Sequence, residues 1–292
     1  MSHYEVCDEI YSSVISQSIY YSELLALRRR VVGGAKMSGT SCPIGLSVAS
    51  VLPQSLIPKY GLWYAEYVAR EAGYDGLQLL PLWMLSRYDL ELLKRSGFLV
   101  LTCEGSWNNM YFDDRTTLGR ILRLDWGILL DTALFGTAQR VQKILKDFSE
   151  LFPEAVSIDI DPRGVREISP HHRMSRNQWI GYKGGVVFDT HHIYEFPFIK
   201  DNKDAAEFVE ELFEEKVVRV VHIQFRDKEK LEDFLTGSLR SLELFVLSQM
   251  NLRNISLPII VEIHPKLLPL GRKGRIESLK CILQRIRFHL KP

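Results

Sequence analysis

From residue 44 to the end of the chain, short apolar runs alternate with longer stretches in which apolar residues recur at helical spacing. Runs of β-branched and aromatic residues bounded by turn residues predict buried β-strands. The strand-forming runs lie at 44–49, 76–81, 98–103, 155–160, 185–192, 217–222 and 258–264. The pattern therefore predicts seven strands.

The stretches between these runs are amphipathic and predict helices. They cover 63–72, 88–95, 137–152, 204–216, 229–252 and 276–290, whereas 163–184 has no helical pattern and is predicted to be a loop. Strands that alternate with helices indicate a parallel α/β sheet. We therefore predict a TIM-type (β/α) barrel. An eighth strand within 104–136 would complete it, and without that strand the barrel is incomplete or irregular.

The first 40 residues differ from the rest of the chain. Apolar residues at mixed helical spacing run from Ile10 to Val32, and Gly33-Gly34 ends the pattern. The sequence predicts a helical N-terminal arm over 1–40 and one barrel domain over 41–292.

Ionisable residues gather where three of the predicted strands end. Four of the eight histidines stand at these places, together with two acids, and the set is Asp189, His191, His192, His222, Glu262 and His264. The C-terminal strand ends of a parallel barrel form the face that carries its chemistry. Carboxylates together with imidazoles suit a divalent ion such as Mn²⁺, Co²⁺ or Zn²⁺, with Mg²⁺ allowed if carboxylates dominate.

Composition narrows the function classes without adding a site. The chain has 37 Lys and Arg against 36 Asp and Glu, so its formal net charge is +1, and nucleic acid is not an expected partner. Its four cysteines form no C-x-x-C pair, which fits reduced thiols in the cytoplasm. A secretory signal and a membrane-spanning run are not expected.

Four stretches, taken together and in order, resemble the xylose isomerase-like TIM-barrel superfamily. Residues 187–192 (VFDTHH) resemble its fDTgH signature, and 73–79 (GYDGLQL) resemble its second strand. Residues 221–227 (VHIQFRD) resemble its vHlkD strand, and 261–265 (VEIHP) resemble the final strand, which carries a metal-binding Glu. The superfamily contains sugar isomerases and epimerases, and also nucleases of the endonuclease IV type.

The resemblance implies roles for individual residues. Metal ligands would be Asp159, Asp189, His222 and Glu262, with Asp161 as a substitute for Asp159, and Glu262 and Asp159 would also be the catalytic acids. His192 would contact substrate or a second metal. Trp107 and Arg226 are further candidates for substrate binding, and His191, His264 and Asp227 are candidates for supporting positions around the ligands.

Two positions depart from the family pattern. Gln78 stands where the second strand has Glu, and Asp159 stands where the fourth strand has Glu. The nuclease branch further expects a His at the position of Cys103 and a D-x-H pair after the His strand, and neither is present.

Three functions follow as hypotheses. The first is an isomerase or epimerase of a small sugar-like substrate that uses one divalent metal and carboxylate-mediated proton transfer. The second is a non-catalytic barrel that binds a ligand or partner, and the third is an endonuclease IV-like phosphodiesterase. A homo-oligomer is compatible with all three.

Overall fold

The computed structural model describes residues 42–51, 62–79, 87–104, 143, 146–158, 164–238, 240–269 and 271–290. Within them lies one eight-stranded sheet, and all of its neighbouring strands are parallel. The strands are β1 Ile44–Ser47, β2 Gly76–Leu79, β3 Leu99–Glu104, β4 Val156–Ile158, β5 Arg166–Glu167, β6 Val186–Asp189, β7 Val218–Phe225 and β8 Ile259–Ile263.

The sheet curves into a barrel. Its strand order is β4-β3-β2-β1-β8-β7-β6-β5, so β4 and β5 are the two end strands of this order. A parallel bridge between Ile158 and Val165 joins these two ends. The predicted TIM-type barrel is therefore confirmed.

Helices separate most of the strands. They are α1 Trp63–Ala72, α2 Arg87–Ser96, α3 Arg176–Ile180, α4 Asn202–Glu214, α5 Lys228–Thr236, α6 Leu242–Leu252 and α7 Arg272–His289. Residues 146–151 are also helical. Short 3₁₀ turns cover Val48–Ser50, Pro170–His172, His192–Glu195 and Pro265–Leu267. The large apolar core lies between the helices and the outer face of the sheet.

The prediction of a loop over 163–184 is wrong. This segment contains the eighth strand, β5, together with a 3₁₀ turn and α3. Of the range 104–136, where an eighth strand was expected, the structure describes Glu104 alone. The strand escaped prediction because its two residues are both charged, and backbone pairing with β6 rather than an apolar run defines it.

The predicted helix over 229–252 is two helices. Gly237 ends α5 with a φ of +84°, a left-handed conformation that glycine adopts without a Cβ clash. The side chain of Ser241 then caps α6 by accepting a hydrogen bond from the N–H of Leu244. The break lets the chain turn before it enters β8.

The inside of the barrel has an apolar layer below a polar one. The apolar layer is a small cluster made of Ile158, Val187, Val220 and Ile260. Because side chains alternate along a strand, a residue two positions further faces the same way. Asp189, His222 and Glu262 follow members of this layer by two positions, so they project inward nearer to the C-terminal ends of the strands.

Two glycines make room for the apolar layer. A Cβ on Gly76 would lie 2.8 Å from the carbonyl oxygen of Leu99 and 2.9 Å from Cγ of Leu101. A Cβ on Gly45 would lie 2.9 Å from Cδ1 of Ile260. Neighbouring side chains fill the space above both glycines.

Residues 1–40 lie outside the described residues, so the helical arm and the division at residue 40 stay predictions. Across the described part of the chain, no helix combines the length and the apolar character needed to span a bilayer.

Candidate metal centre

Asp189 is the last residue of β6, and its two carboxylate oxygens have different partners. Its Oδ1 accepts hydrogen bonds from the backbone N–H groups of His191, at 2.7 Å, and His192, at 3.0 Å. Its Oδ2 lies 3.6 Å from Nδ1 of His222. The first oxygen therefore shapes the turn after the strand, and the second faces the inside of the barrel.

His222 lies in the middle of β7 and is 1% exposed. Its Nδ1 faces two carboxylates, because Oε1 of Glu167 lies 3.4 Å away in addition to Asp189. Burial by itself would lower the pKa of His222, but hydrogen bonds and charges from Asp189 and Glu167 outweigh burial and raise the pKa to about 10. The two acids therefore compensate for the burial of a positive charge.

Glu167 is the site residue that the sequence analysis missed. It lies on the two-residue strand β5, and its side chain is 13% exposed. No apolar run marks this strand, so the position looked like part of a loop. The available signal was the barrel itself, since the seven predicted strands left one strand to be placed, and 163–184 was open to it as well as 104–136.

Glu262, the predicted ligand on β8, pairs in register with Gln224 on β7. Gln224 Nε2 donates a hydrogen bond of 2.6 Å to Glu262 Oε1. Burial raises the pKa of Glu262, the charges of Asp189 and Glu167 raise it further, and His222 opposes them. The charges of the cluster therefore shift the pKa of Glu262.

Gln78 lies beside Nε2, the other ring nitrogen of His222. Its Nε2 lies 3.2 Å from Nε2 of His222 and 3.4 Å from Oε2 of Glu104. An amide N–H requires a His222 Nε2 without a proton, whereas the raised pKa of His222 favours a proton on both ring nitrogens. Rotation of the Gln78 amide resolves this disagreement, because its Oε1 is buried and has no hydrogen-bond partner among the described residues.

His191 and His192 line the turn above the cluster. Nδ1 of His192 lies 3.1 Å from Oε1 of Glu195, and Nε2 of His191 lies 3.8 Å from the same oxygen. Burial lowers the pKa of His191, and the Arg226 charge lowers it further. For His192, burial is outweighed by the charges of Asp189, Glu167 and Glu195, which raise its pKa. Both imidazoles therefore lie close to the buried acids.

The remaining candidates are further from the cluster or outside the described residues. Asp227 is exposed and caps α5 by accepting from the N–H of Lys230, and His264 is exposed and accepts from the N–H of Lys266. Arg226 is exposed beside Asp227. Asp159, Asp161 and Trp107 lie outside the described residues, so their roles stay predictions.

Glu167, Asp189 and His222 fit a divalent metal ion as donors. One ligand atom from each lies within 4.8 Å of the other two, and within the described ranges this is the one group of three acidic, histidine or cysteine residues that does so. Two carboxylates and an imidazole are donors that Mn²⁺, Co²⁺ and Zn²⁺ accept. The fold and the cluster thus define a parallel (β/α) barrel with a carboxylate–histidine centre inside the C-terminal ends of its strands.

Comparisons with protein-family models and with curated proteins give no match. D-psicose 3-epimerase from Clostridium cellulolyticum H10, crystallised with D-tagatose, is similar over 86% of this chain and 100% of its own, at 12% identity and a TM-score of 0.49. D-allulose 3-epimerase from Methylomonas sp. is similar over 86% of this chain and 98% of its own, at 13% identity and a TM-score of 0.48. A D-tagatose 3-epimerase-like protein is similar over 84% and 97%, at 13% identity and a TM-score of 0.45. These likenesses concern the fold, and the barrel assignment rests on this chain's own strand order.

Proposed function

We propose that this protein is a metal-dependent isomerase or epimerase of a small sugar-like substrate. The observation that carries the proposal is the buried cluster of Glu167, Asp189 and His222, within 4.8 Å of one another at the chemical face of the barrel. Glu262 reaches the same polar layer from β8. In this proposal Glu167 takes the role that the sequence resemblance gave to Asp159.

The ligand assignment follows from the donor atoms. Glu167, Asp189 and His222 would hold one divalent ion, and Glu262 would be the fourth ligand. A bound ion of this kind polarises a carbonyl and the hydroxyl next to it, which acidifies the carbon-bound hydrogen between them.

Glu167 and Glu262 are the groups proposed to move the proton. One carboxylate removes the hydrogen as a proton from the carbon beside the carbonyl, and the electron pair of the C–H bond passes into the carbonyl group. The other carboxylate returns a proton to the opposite face of that carbon. The raised pKa of Glu262 suits this work, because a carboxylate with a raised pKa holds a proton more readily.

Gln224 positions Glu262 for this step. Its 2.6 Å hydrogen bond fixes one carboxylate oxygen and leaves the other for substrate or metal. The buried backbone around it is also fixed, since the N–H of Gln224 donates to Oγ1 of Thr190. Glu262 is therefore held between two packed strands.

The deciding experiment measures metal and proton transfer separately. Metal content of the purified protein and calorimetric titration with Mn²⁺ test the centre, and a panel of ketoses incubated in D₂O tests exchange at the carbon beside the carbonyl by NMR. About one ion per chain with deuterium incorporation supports the proposal. Glu262→Gln should keep the fold and abolish exchange.

Other outcomes point to the alternative functions. No bound metal and no exchange would contradict the proposal and favour a non-catalytic binding barrel. Two or three zinc ions per chain with cleavage of DNA at abasic sites would favour the phosphodiesterase instead.

A further inference from the structure

The side chain of Gln78 is wholly buried and has one end of its amide unused. It is 0% exposed, and its Oε1 has no hydrogen-bond partner within the described part of the chain. The other end, Nε2, lies 3.2 Å from Nε2 of His222. A buried acceptor without a partner destabilises a fold, so its presence beside the cluster requires an explanation.

The two nitrogens of His222 face opposite partners. Nδ1 points to Glu167 and Asp189, at 3.4 and 3.6 Å, and Nε2 points to Gln78. A metal ion held by the two acids and His222 takes the lone pair of Nδ1. The imidazole then carries its hydrogen on Nε2, so the group that faces Nε2 must be an acceptor.

Gln78 can become that acceptor without a change of shape. The two ends of its amide are nearly equal in size, and a half turn of the amide group exchanges Nε2 for Oε1. The turn gives up the contact with Glu104, which at 3.4 Å is long for a hydrogen bond and involves a carboxylate that is partly exposed.

We propose that Gln78 is a positioning residue for the metal centre, which accepts the Nε2 hydrogen of His222 through Oε1 when a divalent ion occupies Nδ1. The proposal rests on the proposed function, because it needs the metal centre. Gln78 can present Oε1 to His222 without placing a further charge in the buried site. Leucine at 78 offers no acceptor, and glutamate offers an acceptor permanently.

Calorimetric titration of the purified full-length chain with Mn²⁺ at one pH tests the proposal. Gln78→Leu and Gln78→Met should weaken Mn²⁺ binding by about 10- to 100-fold, the usual effect of removing the partner of a metal-binding histidine. Gln78→Glu should bind Mn²⁺ at least as tightly as the unchanged protein. Gln284→Leu is the matched control, because it makes the same change at an exposed position on α7, and it should bind within about twofold.

The order of Mn²⁺ affinities among the variants distinguishes a positioning role of Gln78 from a packing role. If Gln78 merely fills space, Gln78→Glu, which buries a charge, should be the worst variant and Gln78→Met should bind like the unchanged protein, and that result would overturn the proposal. Thermal melts identify any variant that fails to fold, and the remaining two still give a ranking. If the unchanged protein binds no Mn²⁺, both the proposed function and the role of Gln78 are contradicted. If it binds Mn²⁺ but the variants follow the order expected for packing, the role of Gln78 alone is contradicted.

Discussion

Asp189 and His222 stand opposite each other in register on neighbouring strands, with Oδ2 of Asp189 3.6 Å from Nδ1 of His222. A register shift between Val186 and Val187 sets this alignment. Because side chains alternate along a strand, a slip of one residue would turn one of the pair to the outside of the barrel. The register of two strands therefore decides whether a buried pair of opposite charge can form.

Replacing His222 with Ala should destabilise the metal-free protein. Asp189 and Glu167 would lose their positive partner, and breaking a buried pair by removing one member costs about 3–5 kcal/mol. Urea unfolding of the metal-free protein measures this loss. Lys183→Ala is the control, since Lys183 is exposed in the turn before β6, and it should change stability by less than about 0.5 kcal/mol. Equal effects of the two substitutions would contradict the importance of the cluster.

Replacing Glu167 with Gln tests the ligand that the sequence analysis missed. A neutral amide is a poor ligand in place of a carboxylate, so Mn²⁺ affinity should fall by at least about tenfold, and exchange of the substrate hydrogen should be lost. Glu207→Gln, an exposed substitution of the same kind on α4, should leave both unchanged. Unchanged Mn²⁺ binding by Glu167→Gln would exclude Glu167 as a ligand.

Metal binding should strengthen as the pH rises. The pKa of His222 is raised to about 10, so at neutral pH the metal must displace a proton from its imidazole. The proton stabilises the metal-free fold at pH values below the unfolded-state pKa of about 6.5, and that stabilisation is lost as the pH rises through 10. We therefore expect Mn²⁺ affinity to increase by up to about tenfold per pH unit between pH 6 and 8.

Titrations in two buffers with different ionisation enthalpies check this directly. They should report the release of about one proton per Mn²⁺ at pH 7. A binding enthalpy that does not depend on the buffer would contradict a protonated His222 in the metal-free protein.

Replacing Gly76 with Ala should destabilise the barrel. The new Cβ would lie 2.8 Å from the backbone oxygen of Leu99, and backbone cannot move aside as a flexible side chain can. Overpacking of this kind costs about 1–3 kcal/mol. Gly271→Ala, whose Cβ would meet no atom within 4 Å, should cost less than about 0.5 kcal/mol in the same urea unfolding experiment. A Gly76→Ala variant as stable as Gly271→Ala would contradict the tight interior.

The sequence predicted elements best where each one carries its own signal. The helix predicted over 63–72 is the observed Trp63–Ala72, because an amphipathic pattern ends at Gly73, which has a φ of +88°. The apolar run before Asp189 forms β6, because a short run of β-branched and aromatic residues follows Gly184-Gly185. In the predicted helix 229–252 the apolar pattern continues across Gly237, although the chain turns there. The glycine therefore indicated the helix end better than the apolar pattern did.

Local sequence thus determined the alternation of strands and helices, the barrel class, and the placement of Asp189 and Glu262 at or next to strand ends. The predicted strand end at His222 is wrong, because β7 continues to Phe225. Those signals act over a few residues, through hydrophobic periodicity and turn chemistry. Tertiary structure alone decided that Arg166–Glu167 is a strand, that Glu167 faces His222, and that Gln78 covers the other ring nitrogen. The contacts of Glu167 and Gln78 with His222 join residues 55 or more positions apart through strand register, and register depends on closing the whole barrel rather than on any short stretch of sequence.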